Sequence, residues 1–176
     1  MPSARNKEGK GKRQGAAQAG GELSLPAPNL CNGTALRKAT RRVSQLYDAV
    51  LVPCGLRSTQ RSILIHIARA GAPAMGDLAA ALVLDRSALA HNLKPLERDG
   101  LVAVAVDHKD KRSRVVTLTK RGETKLEQSM SLWQEAQARF ETAFGAEKAG
   151  VLRRSLALIA SPKFADAFQS GQADLV

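Results

Sequence analysis

The sequence predicts a mainly α-helical fold that carries one short β-hairpin. Three observations predict it. Side chains suited to one helix face recur at spacings of 4 and 3 in two long stretches: Leu36, Thr40, Val43, Tyr47 and Val50 early in the chain, and Leu126, Met130, Trp133, Gln137, Phe140 and Phe144 late in it. Such spacing aligns one face of a helix. Between them, residues 76–100 hold two shorter helical patterns separated by Val83-Leu84-Asp85. After Gly100 come two runs of strand composition, Leu101–Val106 and Arg114–Thr119, around a polar tip from Asp107 to Ser113.

Residues 1–24 are rich in Gly, Ala, Gln, Lys and Arg, with almost no large apolar side chains, and predict a disordered basic tail. Its Arg5, Lys7, Lys10, Lys12 and Arg13 suit either non-specific phosphate contacts or plain solvation. After the extended Leu25-Pro26-Ala27-Pro28, a helix starts at Asn32 and ends at Pro53 and Gly55. Arg37, Lys38, Arg41 and Arg42 crowd its first half, as a solvated face or an anion site. The next helix, Ser58 to about Arg69, is strongly apolar through Ile63, Leu64, Ile65 and Ile67 and should be largely buried. Gly71-Ala72-Pro73 ends it.

The pair of shorter helices comes next. Asp77 is placed to cap the first, which ends near Leu82. Asp85 or Ser87 caps the second, which runs from Arg86 to Arg98 and stops at Asp99-Gly100. Ala79 and Ala80 let the two helices cross closely, over a core of Leu78, Leu82, Leu89, Leu93 and Leu96. The second helix then presents Arg86, Ser87, Ala88, His91, Asn92 and Lys94 outward. With the hairpin behind it, this is a winged helix-turn-helix pattern. Its second helix fits the major groove of double-stranded DNA, where base edges are read. The wing tip carries Lys109, Lys111, Arg112 and Arg114, suited to phosphates or a narrow minor groove. Asp110 is placed to hold Arg112. Pro95 removes an amide donor from the second helix and predicts a bend near Asn92.

A long helix follows Lys120-Arg121-Gly122, Gly145 interrupts it, and a last helix runs from Ala146 to Ala160. The predicted partition is a tail over 1–24, a helical dimerisation region over 25–56 and 120–161, a DNA-binding domain over 57–119 and a C-terminal tail over 162–176. A small winged core cannot cover the apolar stripes of the terminal helices. Two copies related by a two-fold axis can, so a homodimer on a pseudo-palindromic site is expected.

The net charge of +11 favours a polyanionic partner. Only 3% of residues are aromatic, which argues against stacking single-stranded bases on rings. No run of eighteen apolar residues is present, so neither a membrane span nor a membrane partner is expected. Cys31 and Cys54 lack zinc-site spacing, and His66, His91 and His108 have no telling partners. No phosphate loop or nucleophile elbow occurs. The expectation is a cytoplasmic protein with reduced thiols, no metal, no cofactor, no catalytic residues and no enzymatic activity.

The segments PCGLRSTQRSILIHI, DRSALAHNLKPLERDGLV and DHKDKRSRVVTLTKRG resemble regulators of the MarR family, over roughly residues 30–160. The family's Asp-x-Arg wing element is matched by Asp110-Lys111-Arg112. The resemblance implies a dimer built from the terminal helices. It also implies a regulator, commonly a repressor, that leaves DNA when a small and often aromatic anionic ligand enters a cleft between the dimer helices and the winged domain. An aromatic acid or its thioester is therefore the expected effector. Arg41, Tyr47, Arg61, His66 and Trp133 are the candidate contacts, by chemistry and helix membership. Some members sense peroxide through a Cys near the start of the first helix, and Cys31 lies about two residues from that position. Two alternatives to a ligand-released repressor stand beside it: an oxidation sensor acting through Cys31, and an architectural or protein-interaction module without sequence choice.

Overall fold

The computed structural model describes residue 27, residues 30–108 and residues 110–171. The tail expected over 1–24, the wing residue Lys109 and residues 172–176 lie outside them. Among the described residues the elements run α1 (Asn32–Leu51), α2 (Ser58–Ala70), α3 (Met75–Ala81), α4 (Arg86–Arg98), β1 (Val102–Val106), β2 (Arg114–Leu118), α5 (Lys120–Phe144), α6 (Ala146–Ile159) and α7 (Pro162–Ser170), with a 3-10 turn at Val52–Cys54. No helix among them is long and apolar enough to cross a membrane.

One apolar cluster ties the winged part together. Leu51, Leu56, Leu64, Ile67, Leu78, Leu89, Leu93, Leu96, Val102 and Val116 are all buried in it. Each such leucine contributes about 1.5–3 kcal/mol relative to exposure. The cluster draws on α1, α2, α3, α4 and the hairpin, so the recognition helix is backed on its whole inner face.

The strands pair antiparallel, Val102 opposite Leu118 and Val106 opposite Arg114. Pro73 and Ala74 join them: Val116 N donates to Pro73 O at 3.0 Å, and Ala74 bridges Val115. This pairing anchors the start of α3. The helix therefore begins at Met75, with Asp77 in its first turn instead of at the cap. Between α3 and α4, Val83 takes φ 53°, a left-handed turn that a β-branched residue rarely adopts.

Asp85 caps α4 by accepting from Ala88 N at 2.7 Å. Gly100, at φ 69°, ends it, and Leu101 N donates back to Leu96 O at 2.8 Å. The helix stays α-helical through Pro95, whose own carbonyl accepts from Asp99 N at 3.0 Å.

Along α5, Met130 and Phe144 of the apolar stripe are exposed in the single chain, as expected of a stripe that the winged core cannot cover. The buried positions are Gly122, Ser129 and Ala136, small residues seven apart; Gly122 lies against the Leu101 backbone and Ser129 against Arg61 of α2. Besides the Asp77 cap, the C-terminal segment differs from expectation. The segment 162–176 is not a tail throughout. Over Pro162–Ser170 it is helical, because Ser161 caps it by accepting from Phe164 N, Pro162 fits the first turn and Gly171 closes it at φ 67°. Phe164 and Phe168 stack there at 6.3 Å between centroids.

Candidate nucleic-acid interface

On α4, burial of Leu89, Leu93 and Leu96 turns the opposite face outward. Arg86, Ser87, His91, Asn92 and Lys94 are exposed; Ala88 is half-buried behind the cap. His91, Asn92, Lys94, Pro95 and Arg98 line a recess of about 490 Å³ on that face. Arg98 was not expected there, although its place seven residues after His91 puts it on the same face. It pairs with Asp99 at 3.1 Å and stays open to solvent.

At the wing, Asp110 acts on the backbone. Its Oδ1 accepts from Arg112 N at 3.0 Å, and its carbonyl accepts from Ser113 N at 2.8 Å. That fixes the turn and leaves the Arg112 side chain free to extend. Lys111, Arg112 and Arg114 are exposed. Four ion pairs occur among the described residues, and none involves Arg86, Lys94, Lys111, Arg112 or Arg114. These cations are therefore exposed and outside any ion pair among the described residues.

A second feature lies between α1, α2 and α5. Tyr47, Leu51, Ser58, Arg61, Ser62, Ile65 and Trp133 line a cavity of about 250 Å³. Arg61 is only 5% exposed. Its Nε donates to Ser129 Oγ at 3.0 Å, its Nη2 donates to Met130 Sδ at 3.3 Å, and its Cζ lies 4.8 Å from the Trp133 ring centroid. No carboxylate pairs with it among the described residues, and burial pulls its pKa below the ordinary arginine value. Tyr47 donates from its hydroxyl to Gln137 Oε1 at 3.0 Å. Of the five expected ligand contacts, Tyr47, Arg61 and Trp133 thus come together. Arg41 and His66 do not line the cavity; His66 Nδ1 lies 2.8 Å from the Ser62 carbonyl on its own helix. Ser58 and Ser62, which do line it, had no sequence signal beyond sharing α2 with Arg61.

Tyr47 also walls an apolar groove of about 450 Å³ between α1 and α5, with Val43, Leu46, Phe140 and Phe144 inside and Arg42 and Arg139 at the rim. At the start of α1, Cys31 is the N-cap: Thr34 N donates to its Sγ at 3.4 Å. Cys31 is exposed and its thiol pKa is lowered, first by the Thr34 side chain, then by the Thr34 and Gly33 amides and by Arg37. Cys54 is buried and donates to Leu51 O at 3.1 Å. Among the described residues no three of His, Cys, Asp and Glu gather as metal ligands would.

Residues 56–113 match the model of the MarR family. The transcriptional activatory protein BadR of Rhodopseudomonas palustris is 42% identical over 71 residues, which is 39% of this chain and 41% of BadR's length. The fold is similar to that of the M. tuberculosis transcriptional regulator MOSR, solved in complex with DNA. The TM-score is 0.68 and the identity 33%, over 78% of this chain and 97% of that one. It is also similar to CouR of Rhodococcus jostii RHA1, a transcriptional repressor solved on a 23-mer duplex, with a TM-score of 0.69 and 26% identity over 80% of this chain and 99% of CouR. With one such relative a third identical over nearly its full length, and with the family's own pattern running from just before α2 to the tip of the wing, the chain belongs to the MarR family of winged helix-turn-helix transcriptional regulators.

Proposed function

We propose that the protein is a homodimeric, sequence-specific repressor whose hold on DNA is relieved by a small aromatic acid or its thioester. One observation carries the DNA-binding part: exposed cations with no ion pair among the described residues stand on both the α4 face and the wing, on elements that share one core. In this reading Asn92 pairs with adenine and Arg86 with guanine, each bidentate contact contributing about 1–3 kcal/mol of discrimination. Ser87 and His91 reach neighbouring bases, with Ala88 at their edge. Lys94, Arg98, Lys109, Lys111 and Arg114 meet phosphates, and Arg112 enters a narrow minor groove. CouR is named a repressor and BadR an activatory protein; repression follows here where the site overlaps the promoter.

The ligand part rests on Arg61. A buried guanidinium without a counter-ion suits a carboxylate, and Trp133 and Tyr47 suit a flat apolar body. A ligand shifts the population only if it prefers the DNA-incompetent arrangement.

The test is fluorescence anisotropy on DNA from the gene's own upstream region, with a scrambled duplex as control. A preference of about a thousandfold is expected, with release on adding benzoate-type acids or their thioesters. Equal affinity for both duplexes would sink the site-specific reading and favour an architectural one.

The exposed, lowered-pKa thiol of Cys31 favours oxidation as a second reading of the control step. Cys31→Ser should then abolish peroxide-driven release; release that survives the substitution excludes Cys31 as the sensor.

A further inference from the structure

We propose that Gly76 is a positioning residue for DNA recognition: it seats the Arg86 guanidinium beside the N-terminus of the recognition helix, and so sets the base preferred at one position of each half-site. The inference rests on the site-specific reading above and adds to it a residue that touches no DNA.

Gly76 is the second residue of α3. It is not among the glycines with positive φ, which are Gly55, Gly71, Gly100, Gly145 and Gly171. Its backbone is one that any residue adopts, and glycine within a helix costs stability relative to alanine. Conformation therefore does not call for glycine here. Space does. A methyl group at this position would stand 3.3 Å from Arg86 Nη2, 3.8 Å from Nε and 3.9 Å from Cζ. Nη2 is nearest and Cζ farthest, so the guanidinium turns its Nε–Nη2 edge toward the open side of Gly76.

Arg86 is the first residue of α4 and is exposed, and no ion pair among the described residues includes it. A long unpaired arginine samples many rotamers in water, and ordering it on binding costs entropy. Lying edge-on against Gly76 limits that freedom. The N-terminal residues of a recognition helix are those that reach base edges. A guanidinium held there in one plane can make the paired contact to guanine O6 and N7 that a wandering charge makes poorly.

The chemistry of the contact makes the test clean. What a new methyl would meet is the far end of a flexible side chain, so Gly76→Ala should leave the fold intact and displace only Arg86. Binding sites are selected from a pool of randomised duplexes by the wild type, Gly76→Ala, Arg86→Ala, Arg86→Lys and the Gly76→Ala/Arg86→Ala double variant, with thermal unfolding run on each. Gly76→Ala should melt no lower than wild type. It should lose about tenfold of the base preference at one position per half-site and keep the others. Arg86→Lys, which keeps the charge and lacks the plane, should show the same flattened position. In the Arg86→Ala background, Gly76→Ala should change nothing further. An unaltered selection profile for Gly76→Ala, or an equal added loss in the Arg86→Ala background, overturns the proposal. A wild type that enriches no sequence would fail the site-specific reading and take the seat with it; a clear wild-type consensus that Gly76→Ala leaves unchanged overturns the seat alone.

Discussion

Arg61 combines deep burial with the absence of any carboxylate partner among the described residues. Taking a charge out of water costs several kcal/mol, and without a counter-ion no Coulombic attraction offsets it. Ser129 would not be orphaned by an apolar replacement, since its hydroxyl also donates to Leu126 O at 2.6 Å. Arg61→Met should therefore leave the urea midpoint unchanged or raise it, while ending release by aromatic acids. A large fall in stability would make the arginine structural. Cys31 allows a second residue-scale prediction. With the Thr34 side chain and its amide, and behind them Arg37, favouring the thiolate, alkylation by iodoacetamide should reach half its maximal rate at a lower pH than for free cysteine. Cys54 should stay unmodified until the protein unfolds. The family resemblance pointed to the first, second and fifth helices, side-chain chemistry then named five candidates, and Tyr47, Arg61 and Trp133 of these line one cavity. That reasoning failed for Arg41 and His66, because sharing a helix says nothing about which of its faces meets a given cavity.

At the scale of elements, the tightest joint is where α5 passes the start of β1. A Cβ on Gly122 would overlap the Leu101 carbonyl oxygen, which also accepts from Thr119 N at 3.1 Å. Backbone cannot swing aside as a side chain can. Gly122→Ala should therefore cost about 1–3 kcal/mol or more in urea unfolding, and a variant as stable as wild type would mean the two elements are not held so closely. The same joint explains what the sequence conceals. Local signals define α4 well, since Asp85 caps it and Gly100 stops it. The wing is equally plain, as alternation around a charged tip. The start of α3 is set by Pro73 and Ala74 pairing with β2, a contact some forty residues distant in the chain. Along α5 the large apolar side chains drew attention, whereas the positions buried within the single chain are Gly122, Ser129 and Ala136. Helix α7 is short and follows a Ser-Pro start that also begins many loops; its cap, formed with Phe164 N, becomes visible only in three dimensions.

The whole molecule carries a net charge of +11, and Arg86, Lys94, Lys111, Arg112 and Arg114 have no ion pair among the described residues. Counterion release should then dominate affinity. Between roughly 50 and 200 mM salt, binding to the upstream duplex should weaken by about a thousandfold or more, read as a straight line of log affinity against log salt. A shallow slope would mean that few phosphates are touched. Val151, Leu156, Leu158 and Ile159 of α6 and Phe168 of α7 are exposed, as are Leu46 and Phe144 in the α1/α5 groove. In the proposed dimer a second copy covers these side chains. Tyr47 is one wall of that groove and one wall of the Arg61 cavity. A shared wall makes two binding events thermodynamically reciprocal: whatever factor the groove's occupant applies to the cavity's guest, the guest applies in return. The apparent dissociation constant for an aromatic acid should therefore drift with protein concentration across the dimerisation range, and Tyr47 is the ring through which dilution would be felt as a change in ligand affinity.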